Sequence, residues 1–116
     1  MLNDDELAAV VAECRAKFPD AKVELASIQT RVGTFVLRSP TTAEHKRFQD
    51  ELRDDAMKAV AMRNFFTTIC VYPDRATVAG TLDRFGGLLA NQKVQTTVGW
   101  LNGTIDDMLG KAWPAP

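Results

Sequence analysis

His45 is the chain's one histidine, set among Glu44, Lys46 and Arg47. A general base needs a partner that orients it, and this charged stretch offers none, so His45 reads as a solvated surface side chain. One histidine with two cysteines far apart in sequence, Cys14 and Cys70, does not make the spaced ligand set of a zinc or iron centre. The adjacent carboxylates Asp4-Asp5, Asp54-Asp55 and Asp106-Asp107 point in different directions on a helix and do not converge on a substrate. Ser27 and Ser39 lie in no nucleophile elbow, and no second histidine is present to build a triad around them. Gly86-Gly87 has neither a preceding strand nor a following Lys-Ser or Lys-Thr, and reads as a helix stop instead of a phosphate loop. These patterns point away from a conventional enzyme and from a metal or organic cofactor. Binding is then the expected activity, and the large apolar candidates for partner contact are Phe65, Tyr72, Trp100 and Trp113. Residues of these types are more often core or capping residues than interface anchors.

Whatever binds must be held by a fold that 116 residues can build, and that length suits one domain over residues 1–116. A hydrophobic share of 46% with 25% charged residues is globular, which excludes a disordered or fibrous chain. The 14 basic and 15 acidic side chains leave a formal charge of −1, and no basic run interleaved with aromatics tracks a phosphate backbone, so nucleic acid is not the expected partner. No apolar run approaches the roughly 18 residues of a membrane span. The start Met1-Leu2-Asn3-Asp4-Asp5-Glu6 is acidic where a signal peptide is basic, and a cytoplasmic protein is expected. In that compartment Cys14 and Cys70 are expected as free buried thiols, with a disulfide left open.

Asn3 and Glu6 make a capping box for a helix over about 4–17, with Leu7, Val10, Val11, Cys14 and Phe18 on one face. Pro19 ends it. Two β-rich segments, 22–28 and 32–38, then predict a hairpin turning through Gln29-Thr30-Arg31, with Gly33 as an alternative turn or a bulge. A lone hairpin is marginal in water, so helices must cover it, and the expected class is α+β: an N-terminal helix, a hairpin, then a mainly helical remainder around one core. Thr41 and Glu44 form a second capping box, opening a long helical pattern with Phe48, Leu52, Ala59, Met62, Phe66 and Ile69 on its stripe and a kink near Arg53-Asp54-Asp55. From Ala56 to Cys70 nearly every face is apolar, which predicts a buried hub. Asp74 caps a short helix with Val78, Leu82 and Phe85 that stops at Gly86-Gly87. A last helix starts near Leu88 and is interrupted at Asn102-Gly103, where Thr104 caps a further turn, and residues 113–116 are expected as a disordered tail.

The stretch Arg38-Ser39-Pro40-Thr41-Thr42-Ala43-Glu44, followed by Lys46-Arg47-Phe48 and later by Cys70-Val71-Tyr72-Pro73, resembles the tail assembly chaperones of long-tailed, siphovirus-like bacteriophages. The likeness covers about residues 31–90, and its motif positions are Arg38, Pro40, Thr41, Glu44, Phe48, Cys70, Val71 and Pro73. Each also has a local reason to be there: strand exit, capping box, core aromatic or helix stop. The resemblance implies a non-enzymatic protein that coats the helical tape measure protein before tube subunits polymerise, and that self-associates along it. It also implies a longer product made by ribosomal slippage, for which Gly110-Lys111 is a dipeptide that slippery codons can encode, although on protein evidence the same pair reads first as the end of the last helix. The same residues are compatible with a virion component, such as a tail completion or head-tail connector protein. A host adaptor or regulatory domain fits them as well, whereas a metal-free enzyme built on Asp and Arg is disfavoured.

Overall fold

A computed structural model of the chain describes residues 2–106. In chain order the elements are α1 (Asp4–Lys17), β1 (Leu25–Thr30), β2 (Gly33–Arg38), α2 (Thr42–Arg53), α3 (Lys58–Ile69), β3 (Cys70–Tyr72), α4 (Arg75–Arg84), a 3-10 turn (Gly86–Ala90) and α5 (Gln92–Leu101). The fold is α+β, with an antiparallel sheet in the order β1-β2-β3.

The first helix has the bounds expected. Glu6 N–H donates to Asn3 Oδ1 at 2.8 Å and Asn3 N–H donates to Glu6 Oε1 at 3.0 Å, satisfying two of the end's free donors. Val11 and Cys14 are its buried residues, and Leu7 and Val10 pack beside them. Past its end, Arg15 Nη1 reaches the carbonyls of Phe18, Asp20 and Val23, which draws the following loop back under the helix.

The hairpin is present, but its register corrects the expected strands and turn. Pairing runs from Leu25↔Arg38 to Thr30↔Gly33, so Arg31-Val32 is the two-residue turn and Gly33 is neither turn nor bulge but the first paired residue of β2. Among the described residues no non-glycine has positive φ, so the Arg31-Val32 turn is not of the Asn-Gly type. Thr30 stabilises it instead: its Oγ1 accepts from Val32 N–H at 3.2 Å and donates to the Gly33 carbonyl at 3.0 Å. The irregularity in the sheet lies between Val36 and Leu37, opposite β3.

Both faces of the sheet are covered, so the core is split in two, not continuous. Ala26, Ile28, Phe35 and Leu37 meet Phe65, Phe66, Ile69, Val78, Leu82, Leu88, Val94 and Val98 on one face. On the other, Leu25 and Val36 meet Val11 and Cys14 of α1, with Val71 and Tyr72 packed alongside. Burial on both faces explains why the strands read as near-continuous apolar runs.

The expected kink at 53–55 is a full break. Asp54 is extended, its carboxylate accepts from Ala56 N–H, and α3 folds back along α2. Phe48 stacks on Phe65 with centroids 4.3 Å apart, and Asn64 Nδ2 donates to Glu51 Oε1 at 3.4 Å. The hub is correspondingly shorter than expected. Ala61, Phe65, Phe66 and Ile69 are buried, but Ala56, which precedes α3, and Ala59 and Val60 are exposed, because only one face of α3 packs against the rest of the fold.

Asp74 stands at the N-cap of α4, and its carboxylate accepts from the Thr77 hydroxyl. The expected last helix begins later, at Gln92 after the 3-10 turn, and ends at Asn102. Gly103 has φ +77°, where glycine is favoured, and lets the chain double back so that Thr104 and Ile105 N–H donate to the Gly99 carbonyl. A Cβ at Gly99 would stand 2.5 Å from Ile105 Cδ1, so that close approach depends on glycine. Thr104 opens no further helical turn within the described residues. The expected tail 113–116, Trp113 and Gly110-Lys111 lie outside them.

Candidate protein-binding site

The motif residues that suggested a family converge, but on one another. Arg38 leaves the end of β2 with its guanidinium paired two-to-two with Glu44 at the start of α2: Nη1 donates to Oε1 at 2.7 Å and Nη2 to Oε2 at 2.8 Å. The same guanidinium reaches the carbonyls of Ser39 and Thr68 and stands 5.5 Å from the centroid of the Phe18 ring. One side chain thus ties β2, the entry of α2, the last turn of α3 and the end of α1. A planar fork suits this, since lysine could not offer paired, parallel donors.

Glu44 serves two purposes. Its Oε1 also accepts from Thr41 N–H at 2.9 Å, while Thr41 Oγ1 accepts from Glu44 N–H at 3.1 Å, closing the capping box. The Arg38 hydrogen bonds hold the Glu44 carboxyl down at about 2, burial opposing them and Thr41 assisting. Glu44 in turn raises the Arg38 pKa further, through the same hydrogen bonds. Pro40 precedes the cap and Phe48 stacks on Phe65, so these positions have structural roles in this chain. Thr41→Ala is expected to cost about 1 kcal/mol in urea unfolding, with partner affinity unchanged. A lowered affinity at unchanged stability would instead make Thr41 a contact residue.

The second part of the motif forms a strand that the helical pattern of 56–70 had concealed. Cys70 pairs with Leu37 and Tyr72 with Val36, and the Tyr72–Pro73 bond is cis. The Cys70 thiol donates to the Tyr72 carbonyl at 3.0 Å, and burial pushes its pKa up to about 12. Burial also raises that of Cys14. Both cysteines are free thiols.

The apolar leads separate. Phe65 is buried in the main core and presents no surface. Tyr72 and Trp100 are half-buried, packed on the smaller and main clusters respectively. The exposed apolar surface lies where periodicity had placed core. Leu52 on α2 and Val60 on α3 are each 41% exposed and Ile105 is 37% exposed. Helix α2 has no fully buried residue and meets the rest of the fold through Phe48, Glu44 and Glu51, among others. An unburied residue on a core stripe is the signal, and no sequence pattern separates it from a buried one.

Among the described residues no group of three or more His, Cys, Asp or Glu is placed to hold a metal ion, and no helix is long and apolar enough to cross a membrane. Comparison of the chain with protein-family models, with curated proteins and with solved structures found no match.

Proposed function

We propose that this chain is a non-enzymatic protein-binding module, a tail assembly chaperone that holds the helical tape measure protein in the host bacterial cytoplasm until tube subunits enclose it. The observation that carries this is the outer end of the α2–α3 hairpin. There Leu52 and Val60 stand exposed with Ala56 and Ala59, and no residue of α2 is fully buried. An amphipathic client helix laid on such a surface would cover apolar area that the domain leaves open. Repeated along a rod, weak contacts of this kind gain strength by avidity, which favours self-association on the client.

Co-expression with the gene immediately downstream, using a tagged helical segment of its product, tests the proposal. The wild-type chain is expected to co-purify, and Leu52→Lys with Val60→Lys is expected to abolish capture while the melting midpoint stays put, since both side chains are exposed. Capture by the double variant would remove this surface from the proposal. Absence of capture by the wild type, or incorporation of the chain into purified particles, would favour a structural component of the virion.

A further inference from the structure

The hairpin turn and the α4–α5 connection, more than fifty residues apart in sequence, enclose a cleft of about 320 Å³ lined by Thr30, Arg31, Val32, Phe85, Leu88 and Asn91, among others. We propose that this cleft docks an acidic segment of a protein partner.

Two guanidinium groups share one ring there. Arg31 from the turn stands 5.8 Å from the Phe85 centroid and Arg84 from the end of α4 stands 5.4 Å from it. Their charges are therefore no more than about 11 Å apart, close enough for one short segment to meet both. Both side chains are exposed. Among the described residues neither is paired with a carboxylate. The nearest in sequence, Asp83, is bonded to Arg63 at 2.9 Å. Lys93 adds a third cation near the turn, its Nζ donating to the Gln29 carbonyl at 3.1 Å.

The one further polar side chain with a free group at the cleft, Asn91, offers a donor. Asn91 Oδ1 is occupied by Lys93 N–H, which leaves the amide NH₂, and Thr30 Oγ1 is engaged within the turn. The apolar walls are Val32, Leu88 and the Phe85 ring. Donors and cations over an apolar floor match a carboxylate carried beside an aliphatic side chain, as in an alternating acidic and apolar segment. A nucleic acid strand presents charge continuously and calls for a row of cations, whereas this cleft is short and has three nearby. The proposal stands apart from the α2–α3 surface and does not depend on it.

The test is an amide NMR titration of the full chain with the hexapeptide Glu-Leu-Asp-Glu-Leu-Asp and its neutral counterpart Gln-Leu-Asn-Gln-Leu-Asn. The acidic peptide is expected to shift the amides of Arg31, Gly87 and Leu88 saturably, less so at high salt, and the neutral one to leave them in place. Arg31→Gln with Arg84→Gln should weaken binding by roughly tenfold or more at an unchanged melting midpoint, while Arg47→Gln on α2 should not. The proposal fails if the neutral peptide binds equally, if the double variant binds like the wild type, or if no saturable shift occurs. It also fails if a short oligothymidylate binds more tightly than the peptide, which would assign the cleft to nucleic acid.

Discussion

Phe66→Ala is expected to remove about 3–5 kcal/mol of unfolding free energy, a large part of what a domain of this size has. Phe66 has no exposed surface, and its ring meets Phe35 of β2 edge-to-face with centroids 5.6 Å apart and planes at 70°. Truncation therefore removes both the transfer term and the aromatic contact, and it opens a cavity in the main core, which Phe66 shares with Ile28, Leu37 and Ile69, that close-packed neighbours can fill only in part. The check is urea unfolding followed by circular dichroism. The midpoint should fall far below that of the wild type, with a similar slope. A midpoint equal to the wild type would mean that α3 is not the element on which the main core is assembled.

Loss of the Arg38 fork should be nearly as costly, and its signature is in the pH dependence. The two side chains are 15% and 23% exposed, between the surface pairs that contribute under about 1 kcal/mol and the buried pairs whose breakage costs about 3–5 kcal/mol. For Arg38→Gln a loss of about 2–3 kcal/mol at neutral pH follows, because Glu44 keeps its Thr41 contact but loses both guanidinium bonds. In the folded chain the Glu44 carboxyl is held at about 2, below its ordinary 4.5. Its folded value is depressed, so the contribution is complete above about 4.5 and is lost as pH falls from there toward 2. Urea midpoints measured from pH 6 to pH 2 should therefore fall steeply for the wild type below 4.5, and that part of the fall should be shallower in Arg38→Gln. Parallel curves for the two proteins would show that the pair does not couple to folding.

Both predictions concern residues whose type was informative before their place was. Local signals were legible wherever the cause lay within a turn or two of chain. Asn3 with Glu6 and Thr41 with Glu44 set helix starts, Phe18-Pro19 set a helix end, and Asn102-Gly103 broke the last helix, because caps and glycine turns are satisfied by neighbours in sequence. The α+β class was legible for a related reason: a two-stranded unit cannot stand uncovered.

What the sequence could not determine was which equivalent apolar residue would find a partner. Phe66 and Val60 lie in one apolar helix, yet Phe66 is sealed and Val60 is 41% exposed, because α3 packs only the face of Ala61, Phe65, Phe66 and Ile69 against the rest of the fold. Cys70–Tyr72 continues the same apolar run and becomes a strand because β2 offers it a free edge. Arg31 and Arg84 meet on Phe85 only because the register of β1 and β2 puts Arg31 in the turn, beside the connection that follows α4. Capping and turn chemistry act over a few bonds and are written into the order of residues. Burial and charge clustering depend on distances between segments remote in the chain, and those distances exist only once the elements have packed.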